Sequence, residues 1–192
     1  IKLIQNIGPS TVVQWAHKMG IESPLQPNLS LVLGTSEVTL LELTAAYGLF
    51  PSGGVVTHPF AIVEVMDQQG RLLWRSRAQR RTVVSPETAA IMTDMLQAVI
   101  QSGTGRSARR LGRPLGGKTG TTDRCRDAHF VGFSPDIVVG VWVGLDHYGT
   151  LGSRETGAKA ALPIWIDFMD AAHDGDGPPP PPPAKGTCSA DG

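Results

Sequence analysis

The feature that most constrains the fold is a pair of apolar runs, Ala128 to Phe133 and Ile137 to Leu145, with only Ser134-Pro135-Asp136 between them. So short a connection can join antiparallel strands, whereas parallel neighbours need a crossover of roughly a dozen residues or more. The two runs therefore predict an antiparallel hairpin. The same spacing excludes a sheet in which these two runs are parallel neighbours.

A motif with two meanings lies just before this hairpin. Residues 112–119 fit the phosphate-binding pattern G-x-x-x-x-G-K-[ST], and Lys118-Thr119-Gly120 is also the K-T-G element of serine acyl-transferases that react with penicillin. A phosphate-binding loop follows a buried strand and continues directly into a helix. Residues 102–110 are polar instead, and Gly120-Thr121-Thr122 is a poor start for a helix. A P-loop nucleotide-binding protein is therefore a remote alternative.

The residues around K-T-G favour the binding of an acidic peptide. Lys118 supplies a fixed positive charge, and Thr119 and Thr121 supply hydroxyl groups. Glycines at positions 116, 117 and 120 would let a ligand backbone lie close to the strand. On an edge strand, these groups form a receptor for an extended peptide that ends in a carboxylate, together with half of an oxyanion hole.

The remaining elements are predicted from periodicity and capping signals. Helices are expected over residues 1–20 with a break at Gly8-Pro9, from the Thr39–Glu42 capping box to Phe50, from Ser85 to Gly103, and from Pro163 onward. Two further strands are expected at residues 62–65 and 72–74. The pattern predicts an α+β fold in which an antiparallel sheet is flanked by helices.

Charge and composition exclude several classes of function. The 17 basic residues equal the 17 acidic residues, so there is no electrostatic footprint for nucleic acid. The longest apolar stretch, residues 137–145, is far shorter than the roughly 20 residues that cross a bilayer, so no membrane contact is expected from this segment. The histidines lack metal-ligand spacing, and no metal or cofactor is expected.

Several ordered motifs give a resemblance to a known family. The chain resembles the C-terminal part of the transpeptidase domain of bacterial penicillin-binding proteins, most closely the bifunctional class A type. The motifs that carry it are Leu33-Gly34-Thr35-Ser36-Glu37-Val38-Thr39, Tyr47 to Gly54, Gly116 to Thr122, Arg126-Asp127-Ala128, Phe130 to Phe133, Val139 to Gly144 and Pro163-Ile164-Trp165. The resemblance covers residues 1–172, and the Pro-rich remainder, 173–192, is predicted to be a flexible tail.

The resemblance implies a peptidoglycan D,D-transpeptidase that needs no cofactor. In this family a serine in S-x-x-K attacks a stem peptide, and β-lactams acylate the same serine. Lys118 would orient the substrate carboxylate, and Thr119 and Thr121 would hydrogen-bond to it. Gly120 completes the motif, the Thr121 amide would be an oxyanion donor, and Thr122 would lie at the cleft margin.

The chain departs from the family pattern at the nucleophile. Neither S-x-x-K nor S-x-N occurs in the 192 residues, and the nearest string, Thr156-Gly157-Ala158-Lys159, lies where the family has a glycine-rich loop. We therefore expect a fragment that is inactive alone, and whose partner is the missing N-terminal part of the same domain. The resemblance implies location in the bacterial cell envelope, at the extracytoplasmic face of the inner membrane.

Other interpretations remain open at this point. The scaffold could be a non-catalytic module that binds stem peptides or a partner protein. Asp127 and His129 alternate and so share a face of their strand, either as an acid–base or metal pair or as ordinary surface residues. Trp142 and Trp165 are expected to pack in the core between the hairpin and the last helix.

Overall fold

The structure is a computed structural model that describes residues 1–147 and 149–173. Within these ranges the chain forms five α-helices and seven β-strands. The helices are α1 (Lys2–Ile7), α2 (Pro9–Lys18), α3 (Leu40–Tyr47), α4 (Pro86–Gln101) and α5 (Leu162–His173). No helix in the described ranges is long and apolar enough to span a membrane. The predicted tail 173–192 starts one residue too early, because His173 is the last residue of α5, and residues 174–192 lie outside the described residues.

The predicted helix boundaries follow the local signals in the sequence. Gly8, with φ 92°, separates α1 from α2, and Pro9 is the first residue of α2. The Ser85 hydroxyl accepts a hydrogen bond from the Thr88 amide at 3.2 Å and caps α4. Helix α3 ends at Tyr47 rather than at Phe50, because the chain continues into a series of turns before Gly53 and Gly54, which have positive φ.

The main sheet has three antiparallel strands in the order β5-β6-β7. They are β5 (Gly116–Thr121), β6 (Ala128–Phe133) and β7 (Val138–Val143). The hairpin predicted from the Ser134-Pro135-Asp136 connection is confirmed as β6 and β7. The K-T-G motif lies in β5, at the edge of this sheet. The expected α+β arrangement is therefore confirmed.

Two small strand pairs lie outside the main sheet. The two further strands predicted near residues 62–65 and 72–74 are present as β2 (Glu64–Met66) and β3 (Leu72–Arg75), with a salt bridge of 2.7 Å between Arg75 and Glu64. The other pair joins β1 (Val55–Thr57) to β4 (Arg80–Thr82). This second pair was not predicted, because each strand has only three residues and β4 is polar, so neither strand shows an alternating pattern.

The core lies between the main sheet and helix α5. Trp165 is fully buried, its ring meets Phe130 edge-to-face at 5.0 Å, and its Nε1 donates a hydrogen bond to Val139 O at 3.1 Å. The predicted core position of Trp165 is confirmed. The predicted core position of Trp142 is wrong, because Trp142 is 48% exposed. Strand alternation directs its side chain to the face of β7 opposite the valines that pack on this core.

Helix α3 packs on the second face of the sheet and is anchored by its capping box. Glu42 accepts hydrogen bonds from the Thr39 amide, and the Glu42 amide donates to the Thr39 hydroxyl. The same carboxylate also accepts from the Ser23 hydroxyl at 2.6 Å and from the Glu22 amide at 2.9 Å. The cap therefore also ties down the segment that follows α2.

Aromatic rings of β6 occupy the space beside two glycines of β5. A Cβ at Gly116 would lie 2.5 Å from Phe133 Cζ, and a Cβ at Gly117 would lie 2.7 Å from Phe130 Cζ. The two phenylalanines are almost fully buried, so their rings have little room to move. The small residues in β5 therefore allow the large rings of its neighbour to pack across the sheet.

We predict that Glu42→Gln removes a pH-dependent part of the stability. The hydrogen bond from Ser23, followed by those from Thr39 and Glu22, lowers the Glu42 pKa from 4.5 to about 2. A lowered folded-state pKa stabilises the protein above pH 4.5, and this contribution is lost as the pH falls toward 2. Thermal unfolding between pH 2 and 7 should show a smaller acid dependence in Glu42→Gln. The exposed Glu37→Gln should retain the wild-type profile.

We predict that Gly116→Ala destabilises the protein by about 1–3 kcal/mol, the usual cost of overpacking. All of the nearest atoms to the added methyl group belong to the Phe133 ring. Phe133→Leu removes that ring, so the double variant should lose less stability than the sum of the two single variants. Denaturant unfolding of the four proteins measures this coupling, and strict additivity would contradict the packing assignment.

Candidate active site

The register of β5 against β6 determines which backbone groups are free at the sheet edge. The Thr122 amide donates to Asp127 O at 3.0 Å, which continues the register of the two strands. Antiparallel partners alternate between pairs that exchange hydrogen bonds and pairs that do not. Lys118 and Gly120 therefore bond to β6, whereas Thr119 and Thr121 direct their amide and carbonyl groups toward the unpaired edge.

The Lys118 ammonium group lies at this unpaired edge. Its Nζ donates to the Thr119 carbonyl oxygen at 2.9 Å and lies 3.5 Å from the Thr119 hydroxyl. The lysine side chain is exposed, so the charge is accessible to a ligand. The edge strand thus carries a cation next to a threonine hydroxyl, as the sequence predicts.

The two threonine hydroxyls are held by different parts of the chain. Thr119 Oγ1 lies 2.7 Å from the hydroxyl of Thr104, which follows helix α4. Thr121 Oγ1 accepts the Gly157 amide at 3.0 Å, so its own hydrogen remains available for donation. Neither contact could be predicted from the sequence, because Thr104 and Gly157 are far from the motif along the chain and carry no distinguishing signal.

Thr122 belongs to the connection between β5 and β6. Its hydroxyl accepts the Asp127 amide at 2.8 Å and lies 3.3 Å from the Asp127 carboxylate. Asp127 in turn accepts a hydrogen bond from Trp142 Nε1 at 3.1 Å. The structure therefore shows a structural role for Thr122 in this turn, beside the edge that carries Lys118.

His129 covers Gly120 on the same face of the sheet as Lys118. The two residues are directly opposite in the register, and a Cβ at position 120 would overlap Cε1 and Nε2 of the imidazole. Burial, and then the charge of Lys118, lower the His129 pKa below 6.5, while Asp127 acts in the opposite direction. Asp127 thus influences the protonation of His129 but is itself bound to Trp142 and Thr122.

The glycines of the motif are explained by packing within the protein. Rings of β6 fill the space beside Gly116, Gly117 and Gly120, so the expectation that a ligand backbone lies against these glycines is not met. A ligand can still approach the strand along the unpaired edge, in the plane of the sheet. The freedom that glycine gives at these positions is therefore used by the neighbouring strand.

A loop from residue 150 to 157 supports the end of β5. The Thr150 hydroxyl donates to Arg124 O at 2.7 Å, and the Leu151 amide donates to Cys125 O at 2.9 Å. Gly157 then packs so closely that a Cβ there would lie 2.6 Å from Gly120 O. Thr156 immediately precedes a single π-helical turn at Gly157–Ala161, which includes Lys159. The Thr156–Lys159 segment therefore supports the site from a neighbouring loop.

The nucleotide-binding interpretation is wrong. Lys118 lies inside a β-strand that continues to Thr121, and the residues after it do not begin a helix until the short turn at Asp123–Cys125. Strand β5 is also antiparallel to β6. A phosphate-binding lysine instead follows a loop and lies at the first turn of a helix.

The chain matches a known protein family over most of its length. The family model "Penicillin binding protein transpeptidase domain" matches residues 1–169. Penicillin-binding protein 1A of Aquifex aeolicus is 44% identical over 169 residues, which cover 88% of this chain and 23% of that protein. The Neisseria gonorrhoeae protein of the same name is 36% identical and is matched over 100% of this chain and 25% of its own length. The chain thus spans about a quarter of these relatives.

Solved structures show the same fold. Penicillin-binding protein 1A of Haemophilus influenzae has a TM-score of 0.88 and 26% identity, over 96% of this chain and 34% of that one. PonA1 of Mycobacterium tuberculosis, solved in complex with penicillin V, has a TM-score of 0.80 and 25% identity, over 92% of this chain and 53% of that one. The edge strand, its antiparallel neighbours and the packed helix α5 are thus parts of a known domain: the chain belongs to the penicillin-binding protein transpeptidase family.

Proposed function

We propose that this chain forms the substrate-binding side of a peptidoglycan D,D-transpeptidase site. The observation that carries the proposal is the position of Lys118 Nζ, 2.9 Å from the outward carbonyl of Thr119 at an unpaired strand edge. A cation beside the Thr119 hydroxyl and free backbone groups, with the Thr121 hydroxyl two residues further along the strand, suits a peptide that ends in a carboxylate. Family membership supplies the class of reaction.

The unpaired edge can bind an extended stem peptide as an additional strand. The outward amide and carbonyl groups of Thr119 and Thr121 would form the backbone hydrogen bonds. Lys118 and the threonine hydroxyls would bind the terminal carboxylate. The Thr121 amide would donate to the oxygen of the attacked carbonyl as negative charge develops there, a contact whose loss typically costs about 10²–10³ in rate.

The nucleophile in this proposal comes from residues outside the chain. A serine oxygen attacks the penultimate D-Ala carbonyl, the terminal D-Ala leaves as an amine, and an amine of a neighbouring strand then captures the acyl group and releases the serine. No S-x-x-K occurs in the sequence, so residues 1–172 act as the binding portion of a larger domain. We propose that the complete site lies outside the cytoplasm and also reacts with β-lactams.

Exposed apolar side chains support the proposal of a larger domain. Leu3 is 70% exposed, Leu33 is 69% exposed and Leu41 is 63% exposed. Large apolar side chains at such positions are common at surfaces that contact other protein segments. Further residues of the same domain would bury them and place the serine opposite the K-T-G strand.

We predict that fluorescent penicillin does not label the 192-residue chain but does label a longer chain that includes an S-x-x-K segment. In the longer chain, Lys118→Met should slow acylation about ten- to a hundredfold, because a charged hydrogen bond contributes about 1.5–3 kcal/mol. Lys18→Met, which alters a lysine over the Trp15 ring, is the matched control and should react normally. Stoichiometric labelling of the 192-residue chain would overturn the assignment of the nucleophile.

We predict that the two threonines can be separated by their effects on stability. Thr121→Val leaves the part-buried Gly157 amide without its acceptor and should cost about 1–3 kcal/mol of unfolding free energy, in addition to slower acylation. Thr119→Val removes a hydroxyl whose partner Thr104 is exposed, so it should slow acylation with little loss of stability. Thr121→Ser retains the hydroxyl and should behave as the wild type. Equal stability of the two valine variants would contradict the structural contact.

A further inference from the structure

The His129 side chain lies over the strand that carries the K-T-G motif. The residue lies on β6, directly opposite Gly120, and its imidazole extends over β5 so that Cε1 and Nε2 occupy the position of a missing Cβ. A titratable nitrogen therefore lies above the edge strand itself. The ring is half-buried, so it is both fixed by packing and accessible from solvent.

The charges around the ring make its protonation state sensitive to a bound anion. Burial disfavours the imidazolium form, and so does the charge of Lys118 on the same face of the sheet. Asp127 favours that form, but its carboxylate is bound to Trp142 Nε1 and to the Thr122 hydroxyl. Among the described residues, the charged side chains that shift the His129 pKa are Lys118 on β5 and Asp127 before β6. Trp142, which carries no charge, faces the ring from β7.

We propose that His129 is a second, pH-dependent cationic group of the carboxylate receptor, so that acid-terminated ligands bind more tightly when its imidazole is protonated. The inference rests on the proposed function of the K-T-G edge and adds a residue that determines the affinity and its pH dependence. Lys118 provides the constant charge. His129 adds a charge only at acidic pH.

The sign of the effect follows from linkage. In the free protein the His129 pKa lies below 6.5, so the imidazole is neutral at and above neutral pH. A bound carboxylate adds a negative charge that favours the imidazolium form, so binding takes up a proton. Reciprocity then requires the affinity to rise as the pH falls through the range around and below 6.5. Histidine is the side chain whose ordinary pKa falls in this range.

The test is a calorimetric titration of the protein with N-acetyl-D-alanyl-D-alanine between pH 5 and 8, in two buffers of different ionisation enthalpy. We expect about three- to tenfold tighter binding at pH 5 than at pH 8, because the protonated imidazole adds one favourable charge to the receptor. Proton uptake should accompany binding. His129→Phe, which retains a ring over Gly120, and His129→Gln should both bind with no pH dependence and no proton uptake.

Matched variants separate this inference from the proposed function. His58→Phe replaces an exposed histidine that follows β1, and it should retain the wild-type pH dependence. If wild type binds the dipeptide and Lys118→Met does not, but the affinity of the wild type is the same at every pH, only the role of His129 is overturned. The same conclusion follows if His129→Phe still takes up a proton. If the wild type fails to bind at any pH, both proposals are overturned.

Discussion

The antiparallel pairing of β5 with β6 is the constraint on which the site depends. In this pairing, the amide and carbonyl groups of Lys118 and Gly120 form hydrogen bonds with β6, whereas those of Thr119 and Thr121 point away from the sheet. Unpaired edges of this kind promote aggregation, and proteins often protect them with a charged side chain. Here the ammonium group of Lys118 lies on the edge itself, so the same charge that we propose for ligand binding also discourages pairing with another strand.

Elements with strong local signals could be predicted from the sequence. The three-residue connection at Ser134-Pro135-Asp136 determined the antiparallel hairpin, and the Thr39–Glu42 capping box determined the start of α3. The K-T-G strand was assigned by excluding a helix after Lys118 and by the family motifs. These features depend on residues that are close along the chain, so a short segment of sequence is enough to predict each of them.

The contacts that shape the site could not be predicted, because each depends on residues distant in sequence. The position of His129 over Gly120 follows only from the register between two strands, and one residue of slippage would place it on the other face. The second example is Trp142, which alternation places away from helix α5. Apolar composition alone did not reveal which face of β7 the helix would cover, and the expectation of a core residue was therefore wrong.

The support of the threonines suggests how the edge strand is kept ready for a ligand. Thr104 reaches Thr119 from the end of α4, and Gly157 reaches Thr121 from the turn before α5. Both helices contribute to the core cluster that packs against the sheet, so the energy that stabilises the core also fixes these hydroxyls. Groups fixed before binding need little reorganisation when negative charge develops on a substrate, and this preorganisation is the main physical source of electrostatic stabilisation in enzymes. The close approach of Gly157 to Gly120 has the same consequence, because any larger residue at position 157 would push the supporting loop away from the strand.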